Sequence, residues 1–146
     1  MEYKVGNLQR IFWCRLDDGE DLLKELTNLA RRENIAQATI TVLGALGQAE
    51  LVIGPKEKVI PPDSVWSSFT DAREIIGFGT MAPGPDGPSI HMHLTTGRDG
   101  QSTEVGCLRR PSQVYLTVEA VVMEMSMEGI RRWPDPAFGV SRLNFS

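Results

Sequence analysis

Residues 89–107 read SIHMHLTTGRDGQSTEVGC, and the fold turns on how this stretch is taken. It holds both histidines of the chain, His91 and His93, and one of its two cysteines, Cys107. Ile90, Leu94, Thr95 and Thr96 favour extended backbone, so the segment predicts a strand. Only Met92 separates the histidines, and a strand turns alternate side chains to one face, so both imidazoles project together. Gly97-Arg98-Asp99-Gly100 follows with strong turn chemistry, because Asp-Gly tolerates the left-handed backbone that a tight hairpin needs. A three-residue loop closing on Gly100 pairs Gly97 with Gln101 and sets Cys107 directly across from His91, on the face that also carries His93. Two imidazoles and a thiolate so placed can converge on a metal of the zinc type. A slip of one residue would turn Cys107 to the other face. The same spacing also suits two half-buried polar residues beside a small core cysteine, and spacing alone leaves both readings open.

Downstream, residues 108–112 read as a connection, and residues 113–127 form the longest β-compatible run. Val114, Leu116, Val118, Ala120 and Val122 alternate onto one side of it, with Tyr115, Thr117, Glu119, Val121 and Met123 on the other. Glu119 is an acid in an otherwise apolar strand, so it needs a partner or an edge position. A paired structural carboxylate is the plainer reading; a general base or fourth metal ligand is the sharper one. Trp133-Pro134-Asp135-Pro136 then marks a bend before a last strand over residues 140–145.

Upstream, residues 8–16 predict a first strand in which Cys14 is a packed core residue. Residues 17–21 open a helix that either early aspartate, Asp17 or Asp18, can cap, and its Leu22, Leu23, Leu26, Leu29 and Ala30 recur at helical spacing. Residues 36–43 and 49–53 predict two strands, with Gly44 and Gly47 bracketing a bend between them. Residues 54–73 read as a surface connection with one short strand, residues 74–81 as a strand, and residues 83–88 as a rigid proline-rich loop. The sum is an α+β domain with a largely antiparallel sheet of about seven or eight strands and one main amphipathic helix.

The 146 residues match one ordinary domain, so residues 1–146 are expected to fold as a single unit. No apolar run reaches membrane-span length, and the first ten residues lack a signal-peptide core. Two cysteines cannot make a disulfide framework, so reduced thiols in a cytoplasmic setting are the expectation. The net charge of −4, with no basic tail, disfavours a phosphate-tracking role, since phosphate contacts supply most non-specific nucleic-acid affinity. The doublets Arg31-Arg32, Arg109-Arg110 and Arg131-Arg132 read as solvated faces.

These landmarks, in this order, resemble the PPC domain, conserved in plants and prokaryotes. The carriers are LDDGEDLLKELTNLARRENIAQATITVLGALGQAEL, EIIGFGTM, HMH, the GRDG turn, VGCL, TVEAVVMEM and RRWPDPAFGVSRLNF. The resemblance implies a compact antiparallel fold assembled as a homotrimer. It also implies a cluster written His-x-His and, after the hairpin, Gly-Gly-His. His91, His93 and Gly106 match that pattern, Cys107 stands where the third histidine is expected, and Val105 replaces the first glycine. Some prokaryotic members look like metal carriers, which points to His91, His93 and Cys107 as ligands, with Zn as the candidate ion because thiolate binds zinc well. In plants the domain accompanies AT-hooks, whose Arg-Gly-Arg-Pro core enters the minor groove. This sequence has no such core; Arg109-Arg110-Pro111 lacks the glycine. The preferred reading is a non-enzymatic module with a metal or small-ligand site and a regulatory, DNA-associated role. The alternatives are a small zinc-dependent hydrolase with Glu119 as base, and a thiol enzyme with Cys107 activated by His91.

Overall fold

The structure, a computed structural model, describes residues 1–145. In chain order the elements are β1 (Asn7–Asp17), α1 (Leu22–Glu33), β2 (Gln37–Pro55), β3 (Ser64–Phe69), β4 (Arg73–Gly84), β5 (Gly87–Gly97), β6 (Glu104–Ser126), β7 (Ile130–Asp135) and β8 (Val140–Phe145). The first six strands form one antiparallel sheet in the order β1-β6-β5-β4-β2-β3, and β7-β8 is a separate hairpin. β6 also pairs with β2, so β6, β5, β4 and β2 close into a ring. The α+β class with a largely antiparallel sheet is therefore as the sequence predicts. No helix among the described residues is long and apolar enough to cross a membrane.

The helix forms where its sequence periodicity places it. Leu22, Leu26, Leu29 and Ala30 are buried, and the helix packs on β5 and β6. Asp21, not Asp17 or Asp18 as expected, caps the start by accepting from Lys24 N, while Asp18 accepts from Leu116 N. Asn34 in left-handed conformation (φ 54°) closes the end on the carbonyls of Ala30 and Arg31. The core lies between this helix and one face of the sheet, where Ile40 and Val42 of β2 meet Met92 and Leu94 of β5 and Val118 and Val122 of β6. Alternation decides which residues point inward, so the histidines at 91 and 93 necessarily point outward.

Asp21 does more than cap. Its carboxylate also accepts from Ser112 N at 3.0 Å and Ser112 Oγ at 3.1 Å, and Arg110 Nε stands 3.4 Å away. Burial alone would raise its pKa, but the hydrogen bonds from Lys24 and Ser112, with Arg110 behind them, outweigh burial and hold it below the usual value.

Several local expectations are corrected. β2 is one strand of 19 residues, not two around a bend. Gly44 (φ 138°) keeps it continuous where a Cβ would collide with the Thr117 carbonyl. There Gly44 pairs with Val118 and Leu46 with Val114, so residues 115–117 of β6 bulge opposite Ala45 alone. The bulge turns Leu116 (φ 60°) out to solvent, its N–H bonded to Asp18 Oδ1 at 2.8 Å, rather than onto the buried side. Residues 83–88 are a tight hairpin, with Pro83 paired to Pro88 and Gly84 to Gly87, not a loop. Residues 108–112 are strand, paired with β2, rather than a connection. Trp133, Pro134 and Asp135 lie in β7, so the expected bend falls after them.

Candidate metal centre

The sheet face turned away from the helix carries the chemistry. Across it, cross-strand neighbours form a continuous row: Trp13 beside Val121, then Thr41, Phe78, His93 and Cys107. A second row runs from Arg15 through Glu119, Leu43, Ile76 and Thr95 to Val105. Trp13, Leu43, Ile76, Phe78 and Val105 are all more than half exposed, so this face is an apolar surface. A cavity of about 480 Å³ opens on it among those side chains and reaches His93.

At the end of the first row, His91, His93 and Cys107 come together, their ligand atoms all within 4.8 Å of one another. The two Nε2 atoms are 3.1 Å apart with the rings edge-to-face. The expected pairing of Cys107 with His91 is incorrect: Cys107 pairs with His93. The loop is longer than the three-residue type, because the ladder closes at Thr96 and Glu104. Arg98 and Gln101 of that loop are drawn to Asp71, at 2.8 and 3.3 Å, instead of continuing the ladder. The offset is an even number of residues, so Cys107 stays on the histidine face. Gly106 faces inward, where a Cβ would come within 2.9 Å of the Val52 carbonyl, and so lets β2 close against the strand carrying Cys107.

The cluster sits in a basic environment. Arg109 Nη1 donates to Cys107 Sγ at 2.6 Å. Arg132, from β7, donates to Thr80 Oγ1 at 2.9 Å on the strand next to His91. Burial pushes the His91 pKa down, and the charges of Arg132, His93 and Arg109 push it further. Arg132 is itself lowered by burial, with Cys107 acting in the opposite sense. Arg132 is only 6% exposed, which corrects the reading of its doublet as a solvated face. No sequence pattern signals that burial, because it depends on the β7-β8 hairpin folding back onto β4.

Glu119 stands apart from the cluster. It lies on the apolar face and accepts a hydrogen bond from Trp13 Nε1 at 3.2 Å. Cys14 is half-buried against the core, and burial raises its pKa. A second cavity of about 810 Å³, lined by the cluster itself, extends between β2, β5, β6 and the β7-β8 hairpin.

This antiparallel fold is that of a known family. The family model of the Plants and Prokaryotes Conserved (PCC) domain matches residues 3–126, and the chain belongs to that family. A bifunctional protein GlmU of Synechococcus sp. (strain JA-2-3B'a(2-13)) is 32% identical over 138 residues. That match covers 92% of this chain but only 20% of the relative, so the chain spans about a fifth of that protein. Among solved structures, a metal-containing protein from Archaeoglobus fulgidus is similar at TM-score 0.85 and 25% identity, covering 97% of this chain and 98% of that one. A plant- and prokaryote-conserved (PPC) protein from Pyrococcus horikoshii reaches TM-score 0.85 at 22% identity, covering 100% and 97%. A candidate DNA-binding protein from Ralstonia eutropha reaches 0.76 at 21%, covering 92% and 90%.

Proposed function

We propose that this protein is a non-enzymatic, homotrimeric module that holds a zinc ion on His91, His93 and Cys107 and serves a regulatory role. The observation that carries the reading is the convergence of two imidazoles and a thiol within 4.8 Å. The donor set suits the ion. Zinc–nitrogen bonds of about 2.0 Å at tetrahedral angles separate two ligand nitrogens by roughly 3.3 Å. The 3.1 Å between the imidazole Nε2 atoms is close to that distance. Bound there, zinc would supply Lewis acidity at one remaining position. The metal-containing Archaeoglobus protein lends support at 25% identity.

The apolar face supports assembly, since exposed apolar surface of this extent marks an interaction site. A second reading, association with DNA, draws on the Ralstonia neighbour and is opposed by the net charge of −4. The hydrolase alternative needs a base beside the metal, and Glu119 is held by Trp13 on the apolar face instead.

Elemental analysis of tag-free protein is the test, with light scattering for mass. The expected result is about one zinc per chain, lost in Cys107→Ala without loss of fold. A protein that stays empty after zinc loading and dialysis would overturn the metal reading. A monomer at working concentration would overturn the assembly reading. Duplex DNA that fails to bind at low salt would remove the second reading.

A further inference from the structure

We propose that the 810 Å³ cleft lined by the histidines is a binding site for a small oxyanion, a carboxylate or phosphate group carried on an apolar body, with Arg132 as its anchor. The inference goes beyond the proposed zinc site, although His91, His93 and Cys107 also line the cleft, and it does not require a bound metal.

Five basic side chains line the cleft, His91, His93, Arg109, Arg110 and Arg132, and the Cys107 thiol is the one ionisable acid among its lining residues. No carboxylate of the described residues lines it. Of the arginines, only Arg110 has an acidic partner, Asp21 at 3.4 Å, and it is also the most solvated of that pair at 60% exposure. Arg132 is the unusual one. It is 94% buried by the complement of its 6% exposure, its hydrogen bond goes to a neutral hydroxyl, and its Nε has no partner at all. A buried guanidinium with an open N–H costs free energy unless something accepts from it, and the planar fork is shaped for a two-oxygen acceptor. Arg109 extends the donor surface, reaching Cys107 Sγ and the Leu108 carbonyl from the same strand that lines the cleft floor.

The remaining wall is largely apolar, with Leu23, Val52, Ile53, Trp66, Ile90 and Val140, interrupted by Ser64, Ser89 and Ser141. The volume lies within the range of roughly 300–1,000 Å³ typical of small-molecule sites. An inorganic anion would use the arginines and leave this wall wet. A molecule with an apolar body would use both.

The test is calorimetric titration of the full chain with benzoate and with inorganic phosphate, on chelator-stripped and on zinc-loaded protein. The expected result is binding to the stripped protein that weakens about tenfold or more in Arg132→Gln, the scale of one charge-assisted hydrogen bond. Zinc content per chain should be unchanged in that variant. Should Arg132→Gln fail to fold, Arg109→Gln carries the same expectation. Tighter benzoate binding assigns a carboxylate with an apolar body; tighter phosphate binding assigns a phosphate. The inference is overturned if neither probe binds stripped protein, or if both variants bind as well as the parent. Binding seen only with zinc present would overturn it while leaving the metal reading intact. Binding to a chain that never takes up zinc would sustain it while the metal reading fails.

Discussion

Replacing Asp21 with alanine should cost about 3 kcal/mol of stability, far more than a helix cap alone. The cap bond to Lys24 N accounts for about 1 kcal/mol. The larger part comes from Ser112, which is fully buried and gives both its N–H and its hydroxyl to the Asp21 carboxylate. Removing the acceptor leaves a buried N–H without a partner, worth about 1–2 kcal/mol, and weakens the hydroxyl that Leu23 N also uses. Arg110 adds little because its side chain is 60% exposed. Three kcal/mol corresponds to a fall of roughly ten degrees in Tm for a chain of this size. Urea unfolding at a single protein concentration measures it, since any assembly makes apparent stability concentration-dependent. Acid supplies an internal check. The folded-state pKa of Asp21 is lowered, so its stabilisation is complete above the usual carboxylate value and is lost as pH falls through the depressed one. The gap between parent and Asp21→Ala should therefore shrink below the usual carboxylate pKa. A loss of only about 1 kcal/mol would refute the claim that Asp21 ties the helix to β6, leaving a cap and nothing more.

Gly44→Ala combines a left-handed backbone with a collision at the Thr117 carbonyl, whereas Gly19→Ala (φ 85°) meets nothing within 4 Å. Denaturation should show about 1 kcal/mol lost at Gly19 and at least ~2 kcal/mol at Gly44; equal losses would reject the close-approach argument. Phe78→Asp puts a charge in the middle of the exposed apolar row, and light scattering should then find monomers where the parent assembles. An unchanged mass would move the interface elsewhere. Asp71 is lowered to about 2, first by Arg98 and then by Arg73, so it should hold the residue 98–101 turn above the usual carboxylate range and release it only as pH falls toward 2. Amide exchange of Gln101 against pH reads this, and loosening centred near pH 4 would reject it.

The helix and the inward faces of β2, β5 and β6 were legible because burial imposes a period on the sequence. Leu22, Leu26 and Leu29, or Met92 and Leu94, must fall on one side whatever the rest of the chain does. Where a bulge breaks the period, the reading fails. Leu116 looks apolar and in phase with Val114 and Val118, yet three residues of β6 stand opposite Ala45 and turn it outward. The hairpin register failed for a related reason. Gly97-Arg98-Asp99-Gly100 carries the chemistry of a short loop, but Asp71, distant in sequence, takes Arg98 and Gln101 and leaves a longer one.

The cluster survived that error because its residue types and the parity of its spacing carry it, not the register itself. His91 and His93 share a face on any strand, and an even offset returns Cys107 to the same face. Arg132 had no such protection. Its neighbours Arg131 and Trp133 are exposed, and alternation says only that it differs from them, not that it is buried beside Thr80. What buries it is the packing of β7 on β4, beyond the residues the family model matches. The candidate ligands His91, His93 and Cys107 thus lie on the two strands of one hairpin and are visible locally. The charge facing them arrives from a separate hairpin, and only the assembled chain brings the two together.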